Sequence, residues 1–385
     1  MLYRKYGKTN ENVSILGFGC MRLPIIGGDR TKIDEEKAIE MIHYAIDKGV
    51  NYIDTAYPYH GNGRERGGQS EPFVGRALKD GYREKVNLAT KLPSWLIKTR
   101  EDMDKYLNEQ LERLQTDRID FYLVHSLNTG TWENLKKLGI NEFLDSAIKD
   151  GRIRYAGFSF HDRLPLFKEI VDYYDWSFCQ IQYNYLDENY QAGREGLEYA
   201  ANKGLGIAIM EPLRGGKIVK SLPDKAVSAF NEADVKRSPA EWALRWVWNH
   251  PEVSVVLSGM NVMDNINENI RVANEAKANS LTEKELAIID KVKNAFEERI
   301  KVNCTACEYC MPCPSGVNIP KNFTIYNEYS LFVNPETEKE LKTRYSSLKP
   351  EERASKCVAC GKCESHCPQA IKIRQELKNV VAVFQ

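Results

Sequence analysis

Short apolar runs alternate with amphipathic stretches from residue 14 to about residue 275. The apolar runs at 14–19, 51–55, 86–91, 119–125, 153–159, 178–182, 205–210 and 253–258 read as strands. Between them, apolar positions recur at helical spacing over 34–48, 71–79, 100–114, 141–149, 164–174, 194–203, 240–249 and 263–273. Start signals support several of these helices, such as Ser238-Pro239 ahead of the seventh. Eight strand–helix pairs in this length predict an α/β fold of the (β/α)8 TIM-barrel type. The alternative is a doubly wound sheet, which carries Gly-x-Gly-x-x-Gly after its first strand. Here Gly17-Phe18-Gly19 runs into Cys20-Met21-Arg22, so that fingerprint is incomplete.

Past the barrel, 281–302 reads as one long polar helix, and a cysteine-rich segment opens at Asn303. The expected division is a barrel over 1–300 and a small, mainly helical, ferredoxin-like domain over 301–385. A chain of 385 residues fits one large and one small domain, since single cores rarely grow past about 300 residues. The stretch 314–356 carries Phe323, Ile325, Tyr326, Tyr329, Leu331 and Phe332, enough apolar surface to pack rather than to serve as a linker.

Eight of the ten cysteines fall in that C-terminal segment. Cys304, Cys307, Cys310 and Cys313 precede Pro314, and Cys357, Cys360, Cys363 and Cys367 precede Pro368. The second group has the C-x2-C-x2-C-x3-C-P spacing of two-cluster ferredoxins, in which the fourth cysteine ligates the other cluster. That logic assigns one 4Fe-4S cluster to Cys304, Cys307, Cys310 and Cys367. The other takes Cys357, Cys360, Cys363 and Cys313. The first group is one residue short before its last cysteine. A pair of zinc sites is the competing reading, but zinc takes two C-x2-C pairs separated by a longer loop rather than four cysteines in succession. Cys20 and Cys179 read as small buried hydrophobes.

Lys+Arg and Asp+Glu both number 54, so the formal net charge is zero and a nucleic-acid partner has no support. No run reaches the roughly 18 apolar residues that span a bilayer. The N-terminus has no apolar segment of the secretory type, so a cytoplasmic location is expected.

Four chemically competent side chains sit at the ends of successive expected strands. Asp54 and Tyr59 belong to Asp54-Thr55-Ala56-Tyr57-Pro58-Tyr59, Lys91 ends the third strand, and His125 ends the fourth. Strand C-termini of a barrel converge on one face, so these four can meet. Each alone is ordinary; what shifts the odds is that all four occur together, at the same end of three successive strands. A phenol of ordinary pKa about 10 needs help to act as an acid, and a neighbouring ammonium provides it. His60, in the glycine-rich loop 61–68, reads as solvated.

With Gly17-Phe18-Gly19, Ser70-Glu71, Gly75, Ala77-Leu78, Asp120–His125, Gly157-Phe158-Ser159, Gln180, Glu211-Pro212-Leu213 and Glu268-Asn269, these residues resemble the aldo-keto reductase family over about 1–275. The resemblance implies an NAD(P)H-dependent oxidoreductase acting on a small carbonyl or alcohol, with Asp54, Tyr59, Lys91 and His125 as its catalytic tetrad. It places the nicotinamide carboxamide on Ser159 and Gln180. The rest of the cofactor falls to Cys20, Met21, Met210, Leu213, Ser258, Gly259, Glu268 and Asn269. Three departures from the family pattern stand out: Phe160 replaces an asparagine, Met210 replaces a stacking aromatic, and Gly259 and Asn265 replace the cations that hold a 2′-phosphate. Phosphate recognition leans on Arg or Lys, so the expectation tilts to NADH or dual use. The clusters imply electron transfer or redox sensing, with a ferredoxin or other redox protein as partner. The alternative is an electron-transfer or scaffold subunit whose barrel turns over little carbonyl.

Overall fold

The computed structural model describes Met1–Gln385. The strands are β1 (Tyr3–Lys5), β2 (Asn12–Ser14), β3 (Leu16–Gly19), β4 (Tyr52–Asp54), β5 (Asn87–Leu92), β6 (Ile119–Leu127), β7 (Ile153–Phe160), β8 (Phe178–Gln182), β9 (Gly206–Met210) and β10 (Val255–Ser258). β3 to β10 close into a parallel barrel in chain order, with β10 pairing back on β3. These are the eight strands expected from the sequence. Being parallel and covered on both faces, they are almost wholly buried, which is why they read as apolar runs rather than alternations.

β1 and β2 form an antiparallel hairpin that the hydrophobic pattern does not announce. The run at 14–19 divides between two elements, because Ser14 turns its Oγ onto the Leu16 carbonyl at 2.7 Å. The hairpin seats Tyr6 and Val13 against Tyr52, Phe121 and Phe178, residues near the starts of their strands. It therefore closes the N-terminal end of the barrel and leaves the opposite end open.

Around the barrel run α1 (Glu35–Asp47), α2 (Ser70–Ala77), α3 (Arg100–Leu114), α4 (Thr129–Lys137), α5 (Ile140–Lys149), α6 (Leu164–Tyr173) and α7 (Gly193–Asn202). After β9 come α8 (Lys217–Lys220), α9 (Asp224–Glu232) and α10 (Pro239–Trp248), and α11 (Met263–Ala273) follows β10. Local chemistry sets their starts: Thr99 and Asp102 form a capping box on α3. The remaining helices are α12 (Glu283–Glu297), α13 (Ile319–Leu331), α14 (Pro335–Ser346), α15 (Lys362–Ser365) and α16 (Ile373–Phe384). The long polar helix expected over 281–302 is α12, opened by the Thr282–Glu285 capping box.

Packing divides the chain into two compact units, Met1–Gly215 with Ala240–Leu281, and Gly216–Pro239 with Thr282–Gln385. In the second, α9 packs on α12. Its core gathers Val317, Ile319, Phe323, Leu341, Tyr345, Ile373 and Leu377, with six of the clustered cysteines packed against it.

Candidate active site and cysteine cavities

Asp54 ends β4, Lys91 lies one residue from the end of β5, and His125 lies on β6. Tyr59 stands on the loop after β4. The open end of the barrel brings all four to one cavity of about 360 Å³, within the usual range for small-molecule sites, lined by Asp54, Tyr59 and His125 among others. Lys91 is fully buried and meets the cavity through Asp54 and Tyr59. Its ammonium donates to Asp54 Oδ2 at 2.6 Å and to the Thr55 carbonyl at 2.8 Å, and reaches the Tyr59 hydroxyl at 3.5 Å. All three of its donors thus have partners.

Burial dominates the electrostatics. It pushes the Asp54 carboxyl up, against the pull of Lys91. Burial also works against the Lys91 ammonium, but Asp54 and then Tyr59 more than offset it, so Lys91 stays charged. The Tyr59 phenol is raised by burial, and Lys91 only partly counters this. The expectation that Lys91 brings this phenol below its ordinary value is not met: desolvation outweighs a contact as long as 3.5 Å. His125 is held well below its usual pKa by burial and then by the charges of Lys91 and Arg64, so its imidazole is neutral, and its buried Nδ1 has no partner.

A bulge aims His125. The β6–β7 register shifts between Val124 and Leu127, and Ser126 takes a left-handed φ of 54°. Two serines hold that strained turn: the Ser126 N–H donates to Ser159 Oγ at 2.7 Å, and Ser94 Oγ donates to the His125 carbonyl at 2.6 Å. Glu71 braces the tetrad from behind. Fully buried, it accepts from Thr90 Oγ1 and Gln110 Nε2 at 2.6 Å and pairs with Arg113 at 2.9 Å. Gln110 also donates to the Lys91 carbonyl at 3.0 Å. Glu71→Gln leaves the shielded Arg113 unpaired, so urea unfolding should register a loss of about 3 kcal/mol. A loss below ~1 kcal/mol would mean the pair contributes no more than a surface ion pair.

Of the residues expected at the cofactor, Met21, Ser159, Gln180, Met210 and Gly259 line the cavity. Gln180 Nε2 rests 3.4 Å from the Met210 sulfur, while its buried Oε1 has no partner. The others stand outside the lining. Cys20 is fully buried, its N–H on the Asp54 carbonyl at 2.8 Å and its own carbonyl accepting from Ser70 Oγ. Ser258 accepts from Asn269 Nδ2 at 3.0 Å, Glu268 is half-buried on α11, and Leu213 is half-buried on the loop after β9. Cys179 is also buried, and burial pushes both barrel thiols far up, as inert structural cysteines require.

Sequence reasoning missed Arg22, Arg30, Arg64 and His161, which line the same cavity. Nothing in a loop distinguishes an arginine that folds over a cavity from one that faces water. His60 is not solvated: only 3% exposed, it donates from Nδ1 to the Arg30 carbonyl at 2.7 Å and accepts the Leu23 N–H on Nε2 at 3.1 Å. Burial holds its pKa down.

In the C-terminal unit the cysteines line two small cavities. One is lined by Cys304, Cys307, Cys310 and Cys367, the other by Cys313, Cys357, Cys360 and Cys363. Ile319 borders both. Burial raises the Cys304 thiol, with Cys307 and Cys367 adding to it, and raises Cys363, with Glu364 and then Cys357 and Cys313 adding to it. Each group's stray cysteine is thus an electrostatic neighbour of the other group. No three His, Cys, Asp or Glu side chains are gathered so as to hold a single metal ion.

A parallel barrel with a lysine–carboxylate–tyrosine–histidine site at its open end defines an oxidoreductase scaffold, and comparison with known proteins agrees. The aldo/keto reductase family matches residues 15–294, and a 4Fe-4S dicluster domain matches residues 303–371. The chain belongs to the aldo/keto reductase family and carries a C-terminal 4Fe-4S dicluster domain. It is 28% identical over 322 residues to a probable aldo-keto reductase 1 of Glycine max, covering 73% of this chain and 86% of that one. It is 26% identical over 317 residues to L-galactose dehydrogenase of Arabidopsis thaliana, covering 76% and 95%. Among solved structures, the holo form of aldo-keto reductase AKR11C1 from Bacillus halodurans superposes with a TM-score of 0.62 at 27% identity, over 76% of this chain and 96% of that one. No helix is long and apolar enough to cross a membrane.

Proposed function

We propose that the barrel is an NAD(P)H-dependent carbonyl reductase, reversible toward alcohol oxidation, with Tyr59 as the proton donor. The observation that carries this reading is the convergence of Asp54, Lys91, Tyr59 and His125 on one cavity. The cavity also fits the cofactor: the partnerless Gln180 Oε1 is an acceptor suited to a carboxamide N–H, and Met210 offers a soft apolar wall. Arg22 adjoins both Gly215 and Gly259, on the loops after β9 and β10 assigned to the rest of the dinucleotide. With no cation at Gly259 or Asn265 themselves, the reading favours NADH or dual use, and Kd values for the two cofactors test it.

A reduced nicotinamide held by Ser159, Gln180 and Met210 would supply the hydride for the carbonyl carbon. The carbonyl oxygen, as it gains charge, takes its proton from the Tyr59 hydroxyl. The phenolate left behind is stabilised by the Lys91 ammonium, itself held by Asp54. The neutral His125 imidazole orients the carbonyl oxygen without titrating. In the opposite direction Tyr59 acts as base and takes the alcohol proton.

The signs of the pKa shifts give the pH test. A raised phenol stays protonated, so reduction holds level between about pH 6 and pH 9. A lowered His125 adds no acidic limb there. Oxidation needs the phenolate and climbs with pH across the same range. Nicotinamide absorbance with an aldehyde and its alcohol reads both profiles, under anaerobic conditions. A reduction rate that collapses below about pH 7 would sink the role given to a neutral His125.

For the C-terminal unit we propose two 4Fe-4S clusters, one in each four-cysteine cavity, with Cys367 and Cys313 exchanged between the groups. The eight cysteines match the donor set of two clusters, and each cavity is lined by four of them. Bound clusters supply one-electron transfer, and the proposed role is exchange with a ferredoxin or other redox protein. Bleaching of the visible cluster absorbance on anaerobic addition of NADH supports that role, and unchanged clusters during carbonyl turnover overturn it.

A further inference from the structure

Arg22, Arg30 and Arg64 line the catalytic cavity, and the proposed reduction gives no role to the guanidinium groups of Arg30 and Arg64. The lining acids are Asp54, already paired with Lys91, and Glu211, on the loop after β9. The cavity thus holds an excess of positive charge around the place where a neutral carbonyl would react.

The three arginines divide by position. Arg22 touches the loops after β9 and β10: its Nη2 lies 2.9 Å from where a Cβ on Gly215 would stand, and its Cβ is the nearest neighbour of Gly259. Arg30 and Arg64 come from the loops after β3 and β4. Arg64 lies over the Trp95 ring at 4.2 Å, and Trp95 Nε1 donates to the Arg64 carbonyl at 2.9 Å. Trp95 in turn packs 5.1 Å from the His125 ring. Arg30 is held through its carbonyl by His60, whose Nε2 takes the Leu23 N–H, so one buried imidazole ties the two loops together. His60 stands at a left-handed φ of 57°, and the Gln69 N–H caps its carbonyl at 3.1 Å, so the joint is built rather than incidental. Arg64 thus stands, by way of Trp95, next to the residue that orients the carbonyl oxygen, and Arg30 adds a second permanently charged, planar fork to the lining of the same cavity.

We infer that Arg30 and Arg64 receive a carboxylate on the substrate, so that this reductase selects carbonyl acids, aldehydes or ketones with a carboxylate a short distance from the reacting carbon. The inference rests on the carbonyl-reductase reading above. Arg forks match carboxylates bidentately, and such charge-assisted bonds are the strong ones. A neutral ester of the same shape cannot pair with either fork.

The test compares 4-carboxybenzaldehyde with methyl 4-formylbenzoate, which differ in charge and little in shape. The acid should be preferred in kcat/KM by about tenfold. R30Q and R64Q should bring that ratio near one through the KM of the acid, with the Kd for NADH unmoved, whereas R22Q moves the Kd for NADH. Equal rates on acid and ester, or a Kd for NADH that rises in R64Q, overturns the inference, as does a preference for 4-formylphenyl phosphate over the acid. If no aldehyde is reduced at all, the reductase reading falls, and calorimetry with terephthalate still decides this one. Binding to the full-length protein that is lost in R64Q sustains the carboxylate site, and equal or absent binding ends it.

Discussion

Tyr59→Phe should lower kcat for carbonyl reduction about a thousandfold, the middle of the range for a positioned general acid. The ring stays and only the hydroxyl goes, so the cavity keeps its shape. Lys91 keeps two of its three partners, Asp54 and the Thr55 carbonyl. The Kd for the nicotinamide should therefore stay within about twofold, since the residues suited to hold it, Ser159, Gln180 and Met210, are untouched. Stopped-flow absorbance at saturating cofactor separates the two quantities. The loss should fall on kcat and kcat/KM together, the signature of an interaction made only in the transition state. Turnover within about tenfold of wild type would mean that another group delivers the proton. The raised phenol does not weaken this expectation. A buried tyrosine that stays protonated is ready to give its proton, and Lys91 lowers the cost only as negative charge arrives.

The parts of this site that are legible in the sequence are those set by strand order. A barrel must bring Asp54, Lys91 and His125 to one face once they are placed at strand ends, and the apolar runs place them there. The aim of each side chain is a different matter. His125 points as it does because Ser126 accepts a left-handed φ, and a serine does so only with Ser159 and Ser94 to hold the turn. Neither partner is near it in sequence. Nor does the sequence show that Gly68 approaches Tyr59 so closely that a Cβ there would lie 1.9 Å from the Tyr59 carbonyl. His60 reads as solvated for the same reason, since its backbone partners, Leu23 and Arg30, are 37 and 30 positions away. The segment Gly216–Pro239 looks like part of the barrel loop by sequence, yet it packs with α12 and the C-terminal unit, because α9 turns its apolar positions Ala226, Ala229 and Phe230 inward.

The cysteines give the second large effect, and it discriminates between two wirings. In the exchanged arrangement Cys367→Ser removes a ligand from the cavity of Cys304, Cys307 and Cys310, although Cys367 is nearer in sequence to Cys363. Cys313→Ser likewise strips the cavity of Cys357, Cys360 and Cys363. Each single variant should therefore lose about half the iron of the reconstituted protein, roughly four of eight atoms. The surviving cluster should differ between the two variants in its EPR signal. The double variant Cys304→Ser, Cys367→Ser makes the wiring plain. If both residues serve one cluster, the second substitution removes no further iron; if the groups are unexchanged, the iron falls toward zero. Losing a cluster should also loosen the fold, because six of the ligand cysteines pack against this unit's buried core. Cys304, Cys310 and Cys367 pack on the same core as Ile319, Phe323 and Ile373. In small metal-bound domains the ligand binding free energy is folding free energy. Protease susceptibility after residue 303 should accordingly rise in every variant that loses iron, while a barrel reporter such as Trp132 fluorescence stays native. Full retention of iron in Cys313→Ser would remove that cysteine from the ligand set, whatever the cavity it lines.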